Sequence, residues 1–203
     1  MTRTSLLVVM LFFGISAFAQ FSFNLGATSD FVWRGVTQTE EDPALQGGVD
    51  YAHASGFYAG AWASNVSFDG DSDVEVDFYL GTVIPLPSNL KLDLGYVRYE
   101  YFDLDGIDEA YLGLSYNNLQ IKYCRGFEVK SDYLETSLEV PLANEFELGF
   151  HVGYFDDGSD YLNWKASISR PWKGFEFELA FTDTDLQTDN ADARLALTVI
   201  KRW

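Results

Sequence analysis

Apolar and polar residues alternate with a period of two along most of the chain, and a helical period is almost absent. The segments VEVDFYLG and EFELGFHVGY show the alternation most clearly. This pattern is typical of β-strands that have one apolar and one polar face. It predicts twelve strands, most with roughly the 9 to 11 residues that a tilted strand needs to cross a bilayer. They lie at about residues 21–34, 44–52, 57–66, 73–83, 90–101, 108–116, 119–125, 132–140, 145–154, 161–170, 175–183 and 192–203.

Alternation alone also fits a soluble β-sandwich, which turns its apolar face inward, whereas a membrane barrel turns that face outward. The glycines distinguish the two folds, because many share the polar phase of their strands. Gly48 is in phase with Asp50, and Gly95 is in phase with Asp93. The interior of a small barrel must combine small and long side chains, whereas a solvated face gains nothing from glycine. The polar face is therefore predicted to be the inside of a barrel.

The connections between the strands alternate in length and composition. The short turns HASG, PLPSN, NN, PLANE and PWKG follow the even-numbered strands, and longer Asp-rich loops such as TDTDLQTDNAD follow the odd-numbered ones. Short periplasmic turns and longer extracellular loops are typical of bacterial outer-membrane barrels. We therefore predict an all-β fold, an antiparallel transmembrane β-barrel of about twelve strands.

Aromatic residues near strand ends point to the same fold, because Tyr and Trp prefer the membrane–water interface. The last strand ends on an aromatic residue after alternating apolar positions, as is common in outer-membrane proteins, whose insertion machinery reads such endings. It is predicted to close on the first strand. Interface anchors are predicted at Trp33, Tyr51, Tyr101, Tyr154, Trp172 and Trp203.

The N-terminal segment MTRTSLLVVMLFFGISAFAQ has a basic residue, a short apolar run and the triplet Ala-Phe-Ala. This layout is typical of a secretory signal peptide. The apolar run is too short for a retained membrane helix, which needs about 20 residues. Residues 1–19 are therefore predicted to be a cleaved signal peptide, and residues 20–203 a single barrel domain in a Gram-negative outer membrane.

The chain is strongly acidic, with 13 basic and 31 acidic residues and a formal net charge of −18, so it would repel nucleic acid. We find no phosphate-binding loop, zinc-type cluster or nucleophile elbow, and we predict no cofactor and no metal site. Cys124 is the single cysteine and is predicted to be a packing residue.

The expected partners are outer-membrane lipid and lipopolysaccharide. The acidic loops FDGDSD and FDLDGID do not match the calcium-loop pattern. They are predicted to be a solvated surface. The alternative is that their carboxylates share divalent cations with anionic lipopolysaccharide.

Strand phase assigns a set of ionisable residues to the lumen, in which acids outnumber bases. Surplus carboxylates favour cations, and twelve strands lie between small filled barrels and open porins. The first functional prediction is a narrow, cation-preferring channel for small solutes, the second a structural or interaction protein, and the third an enzyme. The predicted lumen residues are Asp30, Arg34, Asp50, Glu75, Asp77, Lys91, Asp93, Glu109, Lys122, Glu135, Glu139, Glu147, His151, Lys165, Glu176, Glu178 and Arg194.

A catalytic role for the lumen depends on its single histidine, His151. Strand pairing across PLANE is expected to bring Glu135 near His151. A serine-based triad would also need a serine at the same level, and Ser167 is expected nearer Leu148. The pair is therefore predicted to be structural, and no catalytic residue is assigned.

The segment WRGVTQTEEDPALQGGVDYAHASGFYAGAWASNV, residues 33–66, resembles the N-terminal signature of the proteobacterial Gcw_chp family of exported proteins. The resemblance continues more loosely through VEVDFYLG and EAYLGLSY to the C-terminus. It implies an outer-membrane location, and it implies no particular chemistry, because the family has no established activity.

Overall fold

The computed structural model describes residues 20–68, 71–102 and 104–203, so the predicted signal peptide lies outside the described part. Twelve antiparallel strands form one closed barrel, and two further strands form a separate small hairpin. The barrel strands are β1 (Gln20–Thr28), β4 (Ala44–Ala52), β5 (Phe57–Phe68), β6 (Asp71–Pro85), β7 (Leu90–Tyr101), β8 (Ile107–Tyr116), β9 (Leu119–Gly126), β10 (Asp132–Pro141), β11 (Glu147–Asp156), β12 (Asp160–Trp172), β13 (Phe175–Thr184) and β14 (Arg194–Arg202). The hairpin strands are β2 (Val32–Trp33) and β3 (Val36–Thr37), and two 3₁₀ turns lie at Ala143–Glu145 and Asp189–Ala191. In the described part of the chain, no helix is long and apolar enough to span a membrane.

The predicted closure between the last and the first strand is confirmed. Strand β14 pairs with β1 in antiparallel register, with Gly26 opposite Ile200. At the end of the seam, the backbone N–H groups of Phe23 and Trp203 each donate to the other's carbonyl, at 3.2 and 3.0 Å. Closure leaves no strand edge of the barrel unpaired, which removes the usual route to edge-to-edge aggregation.

The outer face of the barrel is a belt of exposed apolar side chains. On β1, Phe21, Phe23 and Leu25 are 62%, 52% and 51% exposed, whereas Ser22 and Asn24 between them are half-buried. Water would penalise such a continuous apolar surface, and a hydrocarbon layer about 25 Å thick would cover it. The outward-facing apolar phase is therefore the one expected of a membrane barrel.

Several inward-facing glycines make room for tyrosine side chains on neighbouring strands. A Cβ added at Gly81 would lie 2.2 Å from the Tyr58 hydroxyl, and one at Gly95 would lie 2.2 Å from a Tyr111 ring carbon. Such distances are well below van der Waals contact, so any side chain there would displace the ring. This steric reason explains why glycine occupies the polar phase at these two positions.

The first strand is shorter than predicted, because it ends at Thr28 and the chain then enters the barrel. Thr28 pairs with Ala44, so the intervening segment leaves the wall and returns to it at one point. We call residues 29–43 the plug. Most side chains from residue 30 to residue 39 are buried. The prediction that the wall strand continues to residue 34 is wrong, because the period-two pattern of this stretch belongs to a hairpin inside the barrel.

Candidate functional site

The plug is a compact hairpin with its own internal hydrogen bonds. Arg34 and Gly35 form its two-residue turn, with φ of 49° and 85°. Two successive positive φ angles are the geometry of a tight type I′ turn, which favours glycine at its second position. The Asp30 carboxylate accepts hydrogen bonds from Thr37 Oγ1 at 2.5 Å and from Thr39 Oγ1 at 3.2 Å. These contacts hold the two arms of the hairpin together.

One side of the plug is attached to the wall near its entry point. Phe31 packs in a buried cluster with Val66, and its ring meets the Trp62 ring edge-on at 5.3 Å. On the β14 side, Arg194 Nη1 donates to Asp30 Oδ2 at 3.2 Å. Apolar contacts and one buried ion pair therefore fasten this side.

The turn of the plug reaches the far wall. A Cβ at Gly35 would lie 2.8 Å from the Asn163 Cβ on β12, so the turn and the wall are in close contact. Arg34 donates through both terminal nitrogens to the two carboxylate oxygens of Glu109 on β8, each at 2.8 Å. The plug therefore extends across the interior from β1 and β14 to β8 and β12.

Aromatic rings complete the surroundings of the Arg34 guanidinium. Its carbon lies 4.1 Å from the ring centres of Trp33 and Tyr133, and 5.6 Å from that of Phe155. Burial alone would lower the pKa of Arg34, but the Glu109 carboxylate raises that pKa above its usual range. The plug therefore carries a charged guanidinium into the barrel, and Glu109 of the wall neutralises it there.

Tyrosines and carboxylates line the wall from β4 to β8. Tyr58 donates to Asp93 at 2.8 Å and lies 2.6 Å from the Tyr111 hydroxyl. Tyr79 donates to Asp50 in the same way. Phenols therefore supply the hydrogen bonds that hold these two carboxylates in place.

Ion pairs line the opposite wall, from β9 to β14. Lys122 pairs with Glu135 at 2.6 Å and Lys165 pairs with Glu178 at 3.3 Å. Arg202 pairs with Glu176. The bases on this wall are therefore largely neutralised by acids on neighbouring strands.

The surroundings of His151 do not form a catalytic triad. Ser137 Oγ lies 3.0 Å from His151 Nδ1, and the Tyr133 hydroxyl lies 2.9 Å from Nε2. Glu135 is near, as expected, but its carboxylate is 4.0 Å from Nδ1, the nitrogen that already contacts Ser137. A triad needs the hydroxyl and the carboxylate on opposite nitrogens of the ring. Ser167 lies opposite Gly149, one residue from its expected partner.

The structure places the predicted lumen residues as follows. Asp30 and Arg34 belong to the plug rather than to a wall strand, and they are buried. The other residues are in the inward phase of the wall. The buried ones are Glu75, Asp93, Glu109, Lys122, Glu178 and Arg194, and the half-buried ones are Asp50, Asp77, Lys91, Glu135, Glu139, Glu147, His151, Lys165 and Glu176.

Two of the predicted interface anchors are wrong. Trp33 is part of the plug, where its ring stacks on Arg34 and contacts Tyr99. Tyr101 is in the inward phase of β7 and packs on Phe68, because its strand places odd-numbered residues inside. Nearness to a strand end does not by itself decide which face a residue occupies. The other four anchors, Tyr51, Tyr154, Trp172 and Trp203, lie in the outward phase or at the chain end and are half-buried or exposed.

Several interior residues were missed by the sequence reasoning. Arg202 shares the phase of Arg194, and Ser137 is the direct cross-strand partner of His151. Both could have been found by extending the strand register. The plug had a signal as well, since the Arg-Gly pair between VW and VT is a two-residue turn motif.

Cys124 packs in a buried cluster with Tyr111 and Tyr133. Within residues 20–68, 71–102 and 104–203, no three His, Cys, Asp or Glu side chains are placed to hold a metal ion. Asp69 and Asp103 of the acidic loops lie outside these ranges.

Comparison with known proteins identifies the family. The family model described as "Bacterial protein of unknown function (Gcw_chp)" matches residues 14–201. The chain belongs to the Gcw_chp family. No curated protein matches it.

Solved structures with a similar fold include two of a porin and one of another outer-membrane protein. The KdgM porin superposes with a TM-score of 0.68 at 12% identity, covering 89% of this chain and 98% of that chain. The KdgM porin in complex with disordered oligogalacturonate gives 0.66 at 11% identity, covering 91% and 98%. The Acinetobacter baumannii outer membrane protein Omp33 gives 0.59 at 8% identity, covering 90% and 98%. The Gcw_chp chain therefore has the porin-like outer-membrane barrel fold.

Proposed function

We propose that this protein is a narrow diffusion channel of the outer membrane that prefers small cations and carries no enzymatic activity. The observation that carries the proposal is the polar interior of a closed barrel whose outer face is apolar. The plug crosses that interior, so it limits the passage to the space between the plug and the wall.

The cation preference follows from the charges that face the interior. In the described part of the chain, Asp50, Glu75, Asp77, Asp93 and Glu147 form no ion pair with a lysine or arginine. Glu147 also lies within electrostatic range of Glu139, Glu176 and Glu178. Carboxylates in a confined lumen attract cations and repel anions.

The same charges argue for a solute class different from that of the KdgM complex. That structure holds oligogalacturonate, an oligomer of an acidic sugar. An interior with surplus carboxylates would repel such a polyanion. We therefore propose small cations or neutral solutes for the Gcw_chp channel.

The test is the reversal potential of the purified protein in planar bilayers under a salt gradient. We expect the sign of cation flow, and a shift toward zero when Asp50→Asn and Glu147→Gln are combined. Both residues are half-buried and lie in the inward phase of the wall. Glu145→Gln is the matched control, because it removes an exposed carboxylate next to the same strand.

An anion preference, or an equal shift in the control, would contradict the cation-selective lumen. Absence of current from a folded barrel would instead favour the structural or interaction protein. Turnover of phospholipid, lipid A or peptide that is lost in Ser137→Ala would favour an enzyme, since Ser137 contacts His151.

The location belongs to the same proposal. Residues 1–19 direct export and are removed, and the barrel lies in the outer membrane among lipid and lipopolysaccharide. Protein extracted from that membrane should begin at Gln20 and migrate differently on a gel before and after boiling.

A further inference from the structure

The pocket around the Arg34 side chain has the construction of a receptor for a guanidinium group. The Glu109 carboxylate accepts two parallel hydrogen bonds at 2.8 Å each, which matches the planar fork of a guanidinium. Aromatic rings lie within 4.1 to 5.6 Å of the guanidinium carbon, where their faces attract a cation. The pocket therefore recognises both the shape and the charge of its occupant.

Most of this pocket belongs to the barrel wall and not to the plug. Glu109 is on β8, Tyr133 on β10 and Phe155 on β11, whereas the plug supplies only Trp33. The Tyr99 hydroxyl, also on the wall, donates to Glu109 at 3.3 Å. If the plug moved away, the carboxylate and two of its rings would stay in position.

An emptied pocket would need another cation. Glu109 is 2% exposed, and a carboxylate buried to this degree is costly when it has no partner. The barrel does not depend on the plug for closure, because Thr28 and Ala44 pair directly at its base. Displacement of the plug turn would therefore leave the wall closed, and Glu109 would then need a partner in place of Arg34.

We infer that the Glu109 pocket is a binding site for small solutes that carry a guanidinium group. Arg34 occupies it when the plug is in place, and such a solute replaces Arg34 and releases the plug. The release of the plug rests on the proposed channel function, whereas the binding site does not. Arg34 is tethered to the pocket by the chain, which gives it a high local concentration, so a solute competes with it only at high concentration.

The binding site is tested by chemical rescue of Arg34→Ala. We expect this variant to unfold in detergent at a lower temperature than the wild type, because Glu109 loses its partner. Methylguanidinium should restore most of the loss, whereas equal concentrations of tetramethylammonium or sodium should not, because neither has N–H groups to donate. The combined variant Arg34→Ala/Glu109→Gln should show no rescue.

Arg125→Ala is the matched control. Arg125 pairs with Asp132 at 2.5 Å, but both side chains are about two-fifths exposed at the barrel rim. Methylguanidinium should not change the unfolding temperature of this variant. Equal effects on both variants, rescue by tetramethylammonium, or rescue that persists without the Glu109 charge would overturn the site.

A different measurement is needed if Arg34→Ala does not fold alone. Refolding with and without methylguanidinium then becomes the measurement, and folding only with the compound supports the site. Arg34→Lys provides a second variant, since it keeps the charge and loses the fork. Stability of Arg34→Lys equal to that of the wild type would show that the fork geometry is unimportant and would overturn the inference.

Release of the plug is tested by current. Methylguanidinium added on the long-loop side should raise the wild-type conductance several-fold, and Glu109→Gln should abolish the dependence on the compound. If methylguanidinium restores the stability of Arg34→Ala but no variant conducts current, the binding site is supported and the channel is contradicted. Current through Arg34→Ala without rescue would leave the channel standing and contradict the site.

Discussion

The two halves of the barrel interior are filled in different ways. In the half near the long loops, a separate piece of chain, the plug, brings Phe31 and Arg34 against the wall. In the half near the short turns, the wall fills its own space, because tyrosines such as Tyr58 cover inward glycines such as Gly81. The plug can leave the first half without the loss of a wall residue, whereas the tyrosines that fill the second half belong to the wall itself. The long-loop half therefore has a filling that is separable from the wall, and the short-turn half has a fixed lining.

The largest expected effect comes from removing the plug. Replacement of residues 30–42 by Asn-Gly leaves a short hairpin loop between Thr28 and Ala44, which already pair in the barrel. We expect a several-fold rise in the single-channel conductance of the assembled barrel, because the obstruction of the long-loop half is gone. Asp42→Asn, an exposed change within the plug, is the control and should leave conductance unaltered. Unchanged conductance without the plug would place the narrowest point in the short-turn half.

At Trp203 we expect a change in assembly and not in conductance. Trp203 is 61% exposed and ends the closing strand at the short-turn rim. Trp203→Asp should lower the amount of assembled barrel, because an interfacial anchor and insertion signal is lost, and should leave the conductance of assembled protein unchanged. Trp172→Asp, 54% exposed at the same rim, is the control and should lower assembly less. Equal losses would show that any aromatic anchor serves this purpose.

The smallest effect is expected from adding a methyl group at an inward glycine of the wall. Gly95→Ala should cost about 1 to 3 kcal/mol of unfolding free energy, because the new methyl group overlaps the Tyr111 ring. Gly113→Ala is matched to it as an inward glycine on the adjacent strand, where the nearest atom lies 3.5 Å from the added Cβ. Denaturant unfolding of both variants measures the difference. Equal costs would mean that backbone flexibility, and not room for tyrosine, explains these glycines.

Sequence reasoning reached most of the wall because alternation is a local property. Each wall strand buries one face and exposes the other to a different solvent, so the pattern that places Phe150 outside also places His151 inside. Strand pairing then follows from short turns such as PLANE, which fix Glu135 and His151 in neighbouring strands.

The same reasoning missed the plug, because its apolar residues alternate as those of a wall strand do but pack inside the barrel. VW and VT alternate as wall strands do, but the Arg-Gly turn between them folds them on each other. Trp33 then lies beside Arg34 inside the barrel and not at the membrane interface. The residues next to an aromatic side chain in sequence do not show whether it lies inside the barrel or at the membrane interface.

The number of wall strands, their phase, the closure at Trp203 and the acidic interior follow from the sequence, since each depends on neighbours in one strand or hairpin. Only the tertiary structure decided that residues 29–43 turn inward and that Arg34 meets Glu109, 75 positions along the chain. The physical reason is that a buried ion pair depends on where the barrel brings distant residues together. The energy of that contact lies in desolvation and geometry, and neither is present in the local pattern of either segment.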